Sequence, residues 1–133
     1  MKRAVFNRAI ALLLLLLGWP SSAAAADGKV EYTTEDSRAA IAEASAAYGI
    51  PASRLEAVLN CETRGQELNP NAVGDGGTSF GVAQLHKGGL LEFFYRQGYT
   101  SPLNPYEAVD FMARAFVGEW RGQGVGSWAW SCA

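Results

Sequence analysis

Glu62 occupies the position that most constrains the chemistry open to this chain. In the segment RLEAVLNCETRG, Arg54 to Gly65, the residues Leu55, Val58 and Leu59 form one apolar stripe at helical spacing, and Glu62 is the next position on it. At ~100° per residue its side chain falls between those of Val58 and Leu59, away from solvent-facing Arg54 and Glu56. Aliphatic neighbours desolvate a carboxylate, and the negative end of the helix dipole lies close by; both favour the protonated acid. A carboxyl group kept protonated near neutral pH is suited to general acid catalysis. The same geometry also fits a core-edge glutamate hydrogen-bonded by loop amides or paired with Arg64.

The loop downstream of Glu62 favours a ligand over a buried strut. The stretch NAVGDGGTSFGVAQ has four glycines and several neutral donors and acceptors, so backbone can approach a ligand closely. Such a surface suits a polymer of hydroxyls and acetamides, as do Trp120, Trp128 and Trp130 if any serves as a stacking platform. Trp120 lies on a helical apolar face and reads as core. Carboxylates that could assist Glu62 are Asp75 and Glu67, both in the loop, where solvated surface roles are the default. His86, the only histidine, sits beside Lys87 and reads as a surface residue. With one histidine and no C-x-x-C spacing there is no metal ligand set, and no cofactor is expected. GQGVGS and GDGG lack the strand and the Gly-Lys-Ser/Thr ending that nucleotide-binding loops need.

The elements that must position these residues are mainly helical. TTEDSRAAIAEASAAYG predicts a helix with Thr33 or Thr34 as N-cap, Glu35 and Asp36 in the first turn, and Gly49 just past the end. Pro51 separates it from the helix of Glu62, which Ser53 and Glu56 are expected to open as a capping box and which runs to about Thr63. Residues 65–79 are rich in turn formers and read as irregular; SFGVAQLH is short enough for one helical turn. GLLEFFYRQG has helical character and ends at Gly98. The clearest helix begins at Asn104, with Pro105 in the first position and Glu107 completing a box; its apolar face is Val109, Met112, Ala113, Phe116, Val117 and Trp120. No alternating stretch is long enough to predict a strand.

The order of residues at the N-terminus predicts export from the cytoplasm. Met1, Lys2, Arg3 and Arg8 give a positive start, AIALLLLLLGW an apolar run and PSSAAAAD a small-residue segment, the order of a secretory signal cleaved near Ala26. The run is short for a bilayer span of ~20 residues, although an uncleaved anchor is the alternative. Residues 1–26 then form the signal, 27–33 a polar lead-in and 34–133 one domain. Without Lys2, Arg3 and Arg8, eight basic residues face thirteen acidic ones, a charge of about −5 that argues against nucleic acid as a partner. No stable membrane insertion is expected after cleavage, and a monomer is. In an oxidising compartment the two cysteines, Cys61 and Cys132, are expected to pair, with free thiols as the alternative.

These residues carry a resemblance. ET…NPNAVGDGGTSFGVAQL resembles the soluble lytic transglycosylase (SLT) motif of the lysozyme-like superfamily: a Glu-Ser pair, Asn-Pro-x-Ala, a small-residue turn, and Gly-x-x-Gln. Glu62-Thr63 matches the first pair, Asn69-Pro70 and Ala72 the second element, and Gly81 and Gln84 the last. NCETRG and QGVGSWAWSC are similar to resuscitation-promoting factors, wall-lytic proteins of the same superfamily, in which a cysteine just before the catalytic Glu pairs with one near the C-terminus. The two matches together span about Ser53 to Cys132. The chain departs from the motif in a longer Glu62–Asn69 segment, in Thr63 for Ser, and in lacking the Tyr-Asn-Ala-Gly segment that contacts the glutamate in many lytic transglycosylases.

The resemblance implies a mainly α, lysozyme-like single domain with an irregular loop after the catalytic helix. It implies an enzyme of the cell envelope, secreted or periplasmic, acting on peptidoglycan strands. Glu62 would protonate the glycosidic oxygen between N-acetylmuramic acid and N-acetylglucosamine, then take a proton from the muramoyl 6-hydroxyl as it closes on C1 to a 1,6-anhydro product. Gln84 would bind substrate near the cleavage point, with Ser79, Phe80, Asn69, Tyr99 and Trp128 as further substrate-binding candidates. Tyr99, Ser79 and Trp128 are also the candidates to orient Glu62. One placed acid without a convincing partner favours transglycosylation over hydrolysis, which commonly needs a second carboxylate. The alternatives are a lysozyme, a non-catalytic wall-binding module, or a component of a larger envelope machine.

Overall fold

The computed structural model describes residues 30–133, and Tyr32–Ala133 form one compact unit. The segment read as a signal lies outside the described residues. Helix α1, Thr34–Tyr48, is capped by Thr33, whose side chain accepts from the Asp36 amide while Asp36 reaches back to the Thr33 amide. It ends where Gly49 takes a left-handed conformation. Helix α2, Ala52–Glu62, starts on Pro51 with no side-chain cap, so the Ser53–Glu56 box is not formed. The helix is capped at Pro51, two residues before Ser53, so Ser53 lies inside its first turn, and Glu56 instead meets Arg38 of α1 at 3.0 Å.

After α2 the chain turns through left-handed backbone at Arg64, Glu67 and Leu68. Leu68 is driven into the core, and α1 holds the turn from outside: Ser37 donates to the Leu68 carbonyl at 2.8 Å and Thr34 to that of Glu67 at 3.0 Å. The following region is not irregular throughout. Three two-residue strands, β1 Val73–Gly74, β2 Ser79–Phe80 and β3 Leu85–His86, form an antiparallel sheet in that order. SFGVAQLH therefore holds two strands rather than a helical turn. Strands this short carry no alternation to read; pairing across tight hairpin turns makes them.

Helix α3, Leu90–Arg96, and helix α4, Pro105–Phe116, complete the fold, with short 3₁₀ turns at Arg121–Gln123 and Ser127–Ala129. Asn104 caps α4 through the amides of Tyr106 and Glu107, but the Glu107 carboxylate binds Thr100 instead of closing a box. Val109, Met112, Ala113, Phe116 and Trp120 are buried as expected, whereas Val117 follows the helix end and is exposed. Phe111 is the hub of the core, with ring centroids of Phe94 at 5.3 Å, Trp120 at 5.0 Å and Trp130 at 5.9 Å. α1 packs along α4 and α2, so the last turn of α2 is seated on a rigid body. The unit is mainly α with a small sheet, and no described helix is long and apolar enough to cross a membrane.

Candidate functional site

Glu62 is the last residue of α2, and its stripe runs out of the core into a cleft of about 870 Å³. Leu55 and Leu59 are fully buried, but Glu62 is only half-buried. The burial among aliphatic neighbours expected from the helical wheel is therefore only partial: one turn beyond Leu59 the helix has already reached the cleft. Thr63 instead turns inward, its hydroxyl donating to the Leu59 carbonyl at 2.9 Å.

The sheet builds the facing wall. Its register sets Gly74 against Ser79 and Ser79 against His86, so these three form one cross-strand row on the cleft. Phe80 and Leu85 form the neighbouring row, which packs toward the core. The turn joining β1 to β2 is left-handed at Asp75, Gly76 and Gly77, and only Asp75 carries a side chain there. Its carboxylate accepts from the Ser79 hydroxyl at 2.6 Å and lies 3.9 Å from the Arg64 guanidinium. Ser79 has one hydroxyl proton, and Asp75 takes it. The 3.0 Å contact between Ser79 Oγ and His86 Nδ1 then requires Nδ1 to donate. His86 is exposed, as read from the sequence, and on that surface it lines the cleft and meets Ser79, which bonds Asp75.

Gln84 lies between the two walls. Its backbone is left-handed, and its Nε2 donates to the carbonyls of Gly81 at 2.8 Å and Ala72 at 3.2 Å. Oε1 packs so closely over Gly74 that a Cβ there would sit 2.3 Å from it. The side-chain nitrogen is thereby committed to the fold, and the oxygen is the atom left to accept from a ligand N–H.

The structure thus brings Glu62, Ser79 and Gln84 together, and adds Asp75, His86 and the tail segment 129–132. It does not bring Asn69, Phe80, Tyr99 or Trp128 to the cleft walls. Asn69 caps its own loop through the Asn71 amide at 2.9 Å. Tyr99 stacks on Phe94, donates to Asp110 and borders a separate hollow of about 360 Å³ on the α1–α4 side. Trp128 is 63 % exposed and lies over Gly126. Trp130 is buried in the core, its indole N–H donating to the Ala83 carbonyl at 2.9 Å, rather than offering a free stacking face. Of the residues expected to orient Glu62, none contacts it. Its Oε1 accepts from the Cys132 amide at 3.0 Å and faces the Ser131 hydroxyl at 3.5 Å.

Cys61 and Cys132 are joined by a disulfide. That pairing was the one sequence signal able to place the tail at Glu62, because Cys61 immediately precedes it. Nothing in the sequence signalled His86, whose place depends on strand register. No protein-family model, no curated protein and no solved structure matches the chain.

Proposed function

We propose that this protein cleaves the glycan backbone of peptidoglycan outside the cytoplasmic membrane, as a lytic transglycosylase. Glu62 is the acid that protonates the bridging oxygen between N-acetylmuramic acid and N-acetylglucosamine. The same carboxylate then accepts the proton of the muramoyl 6-hydroxyl as that oxygen bonds to C1, giving the 1,6-anhydro sugar and returning the acid. The observation that carries this reading is the opening of Glu62, one oxygen hydrogen-bonded and the other without a partner among the described residues, into a cleft of about 870 Å³. Its support is the motif in which Glu62 is followed by Asn69-Pro70, Ala72, Gly81 and Gln84. The disulfide suits an oxidising compartment.

A second reading, hydrolysis, is favoured by Asp75. Its carboxylate borders the same cleft and accepts from Ser79; in this reading it takes a proton from water attacking C1 while Glu62 protonates the leaving oxygen. Digestion of purified peptidoglycan followed by mass spectrometry separates the two. Anhydromuramoyl ends identify a transglycosylase and reducing ends a lysozyme. Glu62→Gln is expected to lower either activity by at least about 100-fold. Intact glycan after incubation with the wild-type protein, with binding to sacculi unchanged in Glu62→Gln, identifies a wall-binding module and ends the enzymatic reading.

A further inference from the structure

Both donors that meet Glu62 come from the last residues of the chain, and two anchors hold those residues in place. On one side Trp130 is buried, with its ring against Phe116 at 5.8 Å and its indole bonded to Ala83. On the other, the disulfide ties Cys132 to Cys61, the residue just before the acid. The covalent link therefore joins the neighbour of Glu62 to the residue whose backbone N–H, 3.0 Å from Oε1, contacts it. Only Ser131 lies between the two anchors, so the amide has little room to drift.

We propose that the disulfide-held amide of Cys132 is a positioning group for Glu62, and that it determines which carboxyl oxygen carries the proton. This rests on the reading of Glu62 as the general acid. A protonated carboxyl has one carbonyl oxygen and one hydroxyl oxygen, and the carbonyl oxygen is the better acceptor for an N–H. With Oε1 engaged by Cys132, the proton is directed to the other oxygen, which has no partner among the described residues. As that proton passes to the glycosidic oxygen, the hydrogen bond at Oε1 becomes charge-assisted and strengthens. It stabilises the transition state more than the ground state, the condition for raising turnover rather than binding.

The test compares the wild-type chain with Cys61→Ser/Cys132→Ser, which retains the N–H but removes the link that aims it. With soluble peptidoglycan strands as substrate, kcat is expected to fall at least about tenfold while KM stays within about twofold. A tail that merely stabilises the fold would leave kcat of the folded fraction unchanged, and that result overturns the proposal. The contact is read separately by amide hydrogen exchange in Glu62→Ala, which leaves the disulfide intact. There the Cys132 amide is expected to exchange at least about tenfold faster, with the Trp130 amide, bonded to Ser127, unchanged. Equal exchange at Cys132 in the two proteins overturns the proposal even if the double variant fails to fold. Absence of any wild-type cleavage, by contrast, removes the enzymatic reading while the exchange comparison still reports on the contact.

Discussion

A carboxylate in the last turn of a helix works against the helix dipole by about 0.3–1 kcal/mol. Glu62 bears that cost at the end of α2, and the amide of Cys132 offsets it. Asp75 is a comparable case. It holds a left-handed backbone that side chains other than glycine adopt at a cost of about 1 kcal/mol, and it does so at the cleft, where an aspartate side chain can be used. If Asp75 activates water, Asp75→Asn lowers release of reducing ends by at least about 100-fold and leaves anhydromuramoyl ends within about threefold. If product ends of both kinds are unchanged by mass spectrometry, Asp75 is a structural hairpin residue. Glu62 was legible in the sequence because helical periodicity is local. The sequence offered Asp75 only as one of two loop carboxylates, because a loop residue's direction is set by the turn and the partner strand.

The sheet shows how two-residue strands can fix a wall. Gly81 is the element's tight point: its φ is 78°, and a Cβ would lie 1.9 Å from the Pro102 carbonyl oxygen. Gly81 also donates to the Ala72 carbonyl at 2.8 Å, extending the ladder past Phe80. Gly81→Ala is therefore expected to cost about 3 kcal/mol, from left-handed strain and displacement of the 102–103 backbone. Urea unfolding measures it, and a loss below about 1 kcal/mol would mean that the loop at Pro102 yields freely. Because Gly81 and Gln84 share one turn through the Gln84 side-chain nitrogen, the same substitution should also loosen Gln84 in the cleft. Helix ends followed local chemistry where a cap was available, at Thr33 and Asn104. They departed from it at Ser53 and Glu107, where Pro51 set an earlier start and Thr100 offered the carboxylate a better partner.

The α1–α4 contact makes the whole molecule sensitive to alkali. Tyr48 and Tyr99 both donate to Asp110, at 2.5 Å each. Burial and the Asp110 carboxylate push the Tyr48 phenol from 10.0 up to about 12, and the same causes raise Tyr99. Between those two pH values the unfolded chain releases a proton that the folded chain keeps. The stability Tyr48 contributes is thus whole below pH 10 and is lost as pH rises toward 12. The thermal midpoint should fall across that interval, and Tyr48→Phe should flatten part of the fall while costing about 1 kcal/mol at neutral pH. A midpoint that does not move between pH 10 and 12 in the wild-type chain would contradict this. By itself the sequence determined what neighbours along the chain decide: the helices, a first cap at Thr33 or Thr34 and another at Asn104, the stripe ending in Glu62, and which cysteines there are to pair. The tertiary structure decided how the short strands pair and how the core closes. Strand register brought Ser79 and His86 beside Asp75, and burial of Trp130 with the disulfide, whose cysteines the sequence did signal, holds residues 130–132 at the acid. Periodicity is a property of a few consecutive residues, whereas strand register depends on which turn forms, and the contacts of the tail depend on how a core closes over a separation of 71 residues.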